Sequence, residues 1–195
     1  MSQSRRDQMI AAAARLLDEG GPAAVTLRGV GSAAGVSHNA PYKHFADKDE
    51  LLAAVASREL SRRRRWVDAE TGAAMDICDR MHKYVAWAMR YPERFKLTFG
   101  RWTRHHSELA EAASEARRTM VAAVSVAQRR RELPSGDPER MASLLLALAH
   151  GAADLAQSGH LQRGGKGAAD PDDLVDDLFK HLRVSARAVS PAKSE

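Results

Sequence analysis

Apolar residues recur at three- and four-residue steps along almost the whole chain, the period of amphipathic α-helices. Ile10, Ala13, Ala14 and Leu17 mark one face of a first helix, which Gly20-Gly21-Pro22 should stop. Thr26 predicts an N-cap, Leu27, Val30 and Ala34 follow at helical spacing, and Gly35 ends the second helix. Gly29 and Gly31 inside it each cost about 1 kcal/mol relative to Ala, which makes sense where another helix crosses closely. A third helix is expected from Ser37 to about His44. Asp47 then caps a fourth, 47–66, with Leu51, Leu52, Val55 and Leu60 on one face and "RRRRW" at its end. Four consecutive arginines point all round a helix, so this run reads as a solvated end.

The same pattern continues to the C-terminus. Ile77, Met81, Tyr84 and Ala88 form a stripe ending before Pro92, which starts a short helix within 92–102. A long Ala-rich helix follows over 107–131, with Leu109, Ala113, Met120, Val124 and Ala127 inward. After the turn "PSGDP" comes the most apolar helix, with Met141, Leu144, Leu145, Leu148, Ala152 and Leu155. A loop over 159–173, whose "RGGKG" reads as a flexible linker, leads to a last helix with Leu174, Val175, Leu178, Phe179 and Leu182. The tail "SPAKSE" should fray. No strand is expected. The fold class is all-α, about nine helices, arranged as an N-terminal module (1–50), a linking fourth helix and a larger helical body (67–190).

Composition narrows this reading. With 195 residues, 44% hydrophobic and 28% charged, the chain can bury a sizeable core. No apolar run suits a membrane span, and the N-terminus lacks the apolar stretch of a signal peptide. Cys78, the one cysteine, excludes an internal disulfide and fits a reducing cytoplasm. A lone helical cysteine of this kind is expected to be inert. The net charge of +5 is uneven: residues 1–66 carry eleven Lys and Arg against seven Asp and Glu, whereas the remainder is nearly balanced. Basic excess at one end is the footprint of a nucleic-acid module on a near-neutral body.

Helices at 26–34 and 37–44 joined at Gly35 have the spacing of a helix-turn-helix. The later helix would enter a DNA major groove with Ser37, His38, Asn39, Tyr42, Lys43 and His44 able to meet phosphates or base edges, while Val36 and Phe45 pack inward. Pro41 falls at its fourth position, where one helical bond is lost, and should stiffen the first turn. Pro41→Ala is therefore expected to change DNA binding with little change in thermal stability.

"TLRGVGSAAGVSHNAPYKHFADKDELL" (26–52) resembles the N-terminal domain of TetR-type transcriptional regulators, matching at Thr26, Ala34, Gly35, Val36, Ser37, Tyr42, His44, Phe45, Lys48 and Leu51. "YPERFKLTFG" and "LALAHGAADL" resemble the WHG-type ligand-binding domain of that family, keeping His150 and Gly151 with Ala149 in place of the tryptophan. The resemblance implies a homodimer that binds a double-stranded DNA operator and a small-molecule effector of unknown identity. It implies phosphate contacts from Thr26, Ser37, Tyr42 and Lys48, and contacts to bases or nearby backbone from His38, Asn39, Lys43 and His44.

Five of the ten aromatic residues, Trp87, Tyr91, Phe95, Phe99 and Trp102, cluster within 87–102 and, with Met120 and His150, are the expected effector-pocket lining. Leucines in 138–158 and 172–188 exceed what one body of this size hides, predicting a four-helix dimer interface. Adjacent His105 and His106 diverge, and no thiolate or carboxylate stands at a matching ligand spacing, so neither metal nor other cofactor is expected. Two other readings stay open: a helical enzyme using His150, though no motif places a partner for it, and a sequence-indifferent architectural DNA binder, which would be basic throughout.

Overall fold

The computed structural model describes residues 4–64 and 75–188. Among them are eight α-helices, one short 3₁₀ turn and no strand beyond an isolated bridge between Gln162 and Gly167. Arg65 and Trp66 of the expected fourth helix, and the 190–195 tail, lie outside the described residues. Among the described residues no helix is long and apolar enough to cross a membrane.

The described residues fall into two compact units, 4–63 with 91–116, and 64 and 75–90 with 117–188. In the first, α1 (Arg5–Ala24) is capped by the Ser4 hydroxyl, which accepts from Asp7 N–H at 3.1 Å. Its backbone leaves the helical region at Gly20 and Gly21, where the sequence placed the stop. Met9, Ile10, Ala13 and Leu17 bury one face against Val30 of α2 (Leu27–Ala33), Phe45, and Leu51 and Val55 of α3 (Lys48–Arg64). Phe45 is fully buried, with the Arg6 guanidinium 5.4 Å from its ring centre.

The same unit takes in α5 (Pro92–Phe99) and the start of α6 (Ser107–Arg129). The reason is buried charge. Arg94 of α5 donates to Asp18 of α1 at 2.9 Å and to Glu59 of α3 at 3.2 Å, and stacks over the Tyr91 ring. Glu59 is 3% exposed, so an unpaired carboxylate there would be costly. The arginine run at 62–65 is not simply solvated, because Arg63 is buried with its guanidinium 5.2 Å over the Phe99 ring. Its long stem and flat head cover apolar surface that a hydrated lysine would leave open.

In the second unit, α4 (Ile77–Arg90), α7 (Pro138–Gln157) and α8 (Pro171–Ala188) pack on one another. Tyr84, Val85, Leu145, Ala149, Val175 and Phe179 supply the buried side chains. Asp137 caps α7 through Glu139 N–H at 2.9 Å. Asp170 and Asp173 cap the start of α8 reciprocally, at 2.9 and 3.0 Å. The "RGGKG" stretch is a pinned turn rather than a free linker. Gln162 N–H donates to the Lys166 carbonyl at 2.9 Å, and Arg163 pairs with Asp170 and Asp173. On α6, Ala112 is buried and Ala113 exposed, one position out of register with the expected inward face.

Candidate nucleic-acid interface

The segment from Thr26 to Lys48 is held by local chemistry. The Thr26 hydroxyl accepts from Gly29 N–H at 3.0 Å, capping α2 and leaving its own O–H to donate outward. At the other end, Val36 N–H reaches the Gly31 carbonyl at 3.0 Å and Gly35 N–H the Ser32 carbonyl at 3.1 Å. These paired bonds close a helix end through a left-handed residue, and Gly35 has φ +68°. The Arg15 guanidinium donates to the Ala33 carbonyl at 3.3 Å, covering one more helix-end acceptor.

Residues 37–44 do not form the expected α-helix. Ala40 N–H bonds the Ser37 carbonyl at 2.9 Å, and a 3₁₀ turn, Pro41–Lys43, follows. Pro41 explains the change. An α-helix would direct the N–H of residue 41 to the Ser37 carbonyl; proline has none, so Ala40 takes that acceptor with a three-residue step. The Pro41 ring is buried against α2. A Cβ added at Gly31 would lie 3.2 Å from its Cγ and 3.4 Å from the Ser37 carbonyl oxygen. The close crossing that the α2 glycines suggested is thus a proline ring on Gly31, while Gly29 lies beside its own capping Thr26 hydroxyl.

Burying Pro41 and Phe45 turns Ser37, His38, Asn39, Tyr42, Lys43 and His44 to solvent, and Tyr42 is 59% exposed. Thr26 is also exposed and Lys48 is half-buried at the start of α3. That start is capped reciprocally: Asp47 accepts from Glu50 N–H at 2.9 Å, and Glu50 accepts from Ala46 N–H at 2.6 Å. The Glu50 N–H, and then the Arg104 guanidinium, hold the Asp47 carboxyl below its usual range. Arg104 bonds Asp47 at 2.8 Å and Asp49 at 3.1 Å, and His106 Nε2 lies 2.8 Å from Asp49. The segment after α5 therefore grips the acidic turn beside Lys48, an arrangement with no local sequence signal.

The expected effector lining does not gather as one wall. Phe95 is buried in the first unit, 5.7 Å from Phe99 between ring centres. Phe99 and Trp102, with Leu60, His106, Leu109 and Ala113, line a cavity of about 290 Å³. Tyr91 stacks on Arg94 in that unit. Trp87, Met120 and His150 belong to the second unit, where His150 Nδ1 lies 3.0 Å from the Tyr84 hydroxyl and Trp87 6.0 Å from the Tyr84 ring. Burial lowers the His150 pKa and so favours the neutral ring.

Sequence reasoning missed one cluster outright. His82 lies between Asp172 and Asp176, beside Cys78. Burial, and then nearby Asp76, push the Cys78 thiol up to about 11. The signal was present as the i, i+4 spacing of Cys78 and His82 and of Asp172 and Asp176.

Residues 9–55 match the family described as bacterial regulatory proteins, tetR family. Residues 79–182 match the tetracyclin repressor-like C-terminal domain, in agreement with the TetR-family C-terminal domain expected from the sequence. The HTH-type transcriptional regulator BetI of Rhizobium meliloti (strain 1021) is 29% identical over 121 residues, 62% of this chain. The chain spans 59% of that relative's length. A protein of unknown function from Rhodococcus sp. RHA1 is 28% identical with TM-score 0.74, covering 94% of this chain and 95% of its own. The regulator FadR of Bacillus subtilis, solved with stearoyl-CoA, shares the fold at TM-score 0.65 and 12% identity, covering 91% of this chain and 97% of its own.

Proposed function

This chain belongs to the tetR family of bacterial regulatory proteins, and on that premise we propose that it binds a pseudo-palindromic DNA operator as a homodimer and is released by a small-molecule effector. The observation that carries the reading is the exposed row Ser37, His38, Asn39, Tyr42, Lys43 and His44, fixed in place by a buried proline. Thr26, Ser37, Tyr42 and Lys48 are assigned to phosphates, and His38, Asn39, Lys43 and His44 to bases or adjacent backbone. Asn39 suits adenine, to which its amide offers a donor and an acceptor together.

Dimerisation is assigned to 138–158 and 172–188. Leu144 and Leu155 on α7 and Val184 on α8 are exposed large apolar side chains in support of it. Phe99 and Trp102 are assigned to the effector, with Trp87, Tyr91, Phe95, Met120 and His150 as further candidates; the apolar cavity beside them suits a small, largely apolar molecule. His106 lines that cavity and also meets Asp49 at the start of α3. An effector that displaces His106 would loosen the grip beside Lys48. It shifts the protein only as far as it prefers the non-binding state.

Selection of bound sequences from a random DNA pool tests the reading. The expected product is a pseudo-palindrome with half-sites about 34 Å apart, or a multiple. A screen of small molecules for release of that sequence then identifies the effector class. Failure to enrich any sequence would overturn the assignment.

A further inference from the structure

Cys78 and His82 stand one turn apart on α4, and Asp172 and Asp176 one turn apart on α8. Residues at i and i+4 share a helix face, so each helix offers two polar groups on one side. The pairs meet: His82 Nδ1 is 2.8 Å from Asp172 Oδ1, and Nε2 is 3.0 Å from Asp176 Oδ1. The donor atoms of Cys78, His82 and Asp176 all lie within 4.8 Å of one another.

We propose that Cys78 Sγ, His82 Nε2 and an Asp176 carboxylate oxygen ligate a divalent transition-metal ion of the Zn²⁺ class, joining α4 to α8. Asp172 takes a different part: it accepts from His82 Nδ1–H and so fixes the tautomer that presents Nε2 to the ion. Bonds to Asp172 and then Asp176 raise the His82 pKa against the effect of burial, so without an ion the imidazolium donates to both carboxylates. An ion at Nε2 takes the place of the second proton, and the ring then donates at Nδ1 and ligates at Nε2.

The distances suit this. A tetrahedral ion with sulfur at about 2.3 Å and nitrogen or oxygen at about 2.0–2.2 Å holds its donors roughly 3.3–3.6 Å apart. His82 and Asp176 need to open slightly, and Cys78, within 4.8 Å of both, needs to close by at most about 1.2 Å, within the reach of side-chain rotation. Thiolate and imidazole together favour a borderline-soft ion over Mg²⁺ or Ca²⁺. Lys180 and Arg183 line the recess of about 280 Å³ beside Cys78 and Asp176 and oppose a bare dication. Against them stand the ligating thiolate and Asp176, with Asp172, Asp76 and Asp79 close by. Loading releases the thiol proton, and the second imidazolium proton where present, to solvent. Water fills the fourth position. None of this depends on the operator reading.

Cobalt(II) titration of the purified, reduced full-length protein tests the site. One ion per chain is expected, with a thiolate-to-cobalt charge-transfer band and the intense visible bands of tetrahedral cobalt. Zn²⁺ should displace it. Cys78→Ser should abolish the charge-transfer band, and Asp176→Asn and His82→Gln should each weaken binding by at least tenfold. Asp172→Asn should keep the band yet weaken binding by about 10–100-fold, the effect of losing a carboxylate that orients a ligating histidine. Asp176 is exposed, so its variant folds as the parent does, and far-ultraviolet circular dichroism checks the others. No uptake in excess ion, uptake without the thiolate band, or a band indifferent to both His82→Gln and Asp176→Asn would overturn the proposal.

Discussion

Asn39 and Lys48 would act on DNA through different physics, and their variants should separate it. Asn39→Ala should lose about 1–3 kcal/mol at one base pair and nothing elsewhere. Binding to an operator series mutated base by base measures this, and an unchanged preference would remove Asn39 as a base reader. Lys48→Ala should weaken every sequence about equally and lower the slope of log affinity against log salt by about 1. His150 offers a different observable. Burial depresses its pKa in the folded state, so between the folded and unfolded values the unfolded chain binds more protons. Its contribution is complete above the unfolded value of about 6.5 and is lost as pH falls through the folded one. Melting temperature should therefore fall more steeply from about pH 7 to about pH 5 in the parent than in His150→Gln. Parallel profiles would contradict this.

At the scale of elements, α2 and the 3₁₀ turn are fitted through Gly31 and Pro41. Gly31→Ala gains about 1 kcal/mol of helix propensity but presses a methyl on a rigid ring, and overpacking of this kind costs about 1–3 kcal/mol. We expect a net loss near 1 kcal/mol. Pro41→Ala also destabilises, because it gives up buried ring carbons while its restored N–H finds the Ser37 carbonyl already engaged by Ala40. That burial replaces the near-neutral effect expected from sequence. In the Pro41→Ala background the added methyl has room, so Gly31→Ala should become stabilising, with a coupling of about 1–2 kcal/mol in urea melts. Strict additivity would deny the contact. Local signals were readable in the sequence: Thr26 and Asp47 cap helices that the apolar period outlines. The 3₁₀ turn was half readable, since Pro41 announced a missing donor but not a buried ring. Arg94 could not be read, because its partners Asp18 and Glu59 lie 76 and 35 positions away and look like ordinary surface carboxylates in sequence. The Cys78–His82 pair was written in the chain, but its meaning needed Asp176, which only the packing of α4 on α8 supplies.

For the whole molecule, the assembly proposal has a direct test. Leu144→Glu with Leu155→Glu should convert a dimer to a monomer in sedimentation at micromolar concentration and weaken operator binding; a parent that already sediments as a monomer would refute the interface. Arg94 carries a second test. Arg94→Met takes the nearer guanidinium from buried Glu59, leaving Arg62 at 3.6 Å, and removes the bonds to Asp18, so the loss read from the urea midpoint should stay below the roughly 3–5 kcal/mol of a fully stranded buried charge. The same residue bears on engineering. The chain enters and leaves its first unit more than once, since 91–116 returns to complete what 4–63 begins. A hybrid regulator built by grafting the first 66 residues onto a foreign effector body would inherit Asp18 and Glu59 without the Arg94 guanidinium that bonds them both. The transplantable cassette is discontinuous, and a working chimera has to carry α5 with it or recode Glu59 to an apolar residue.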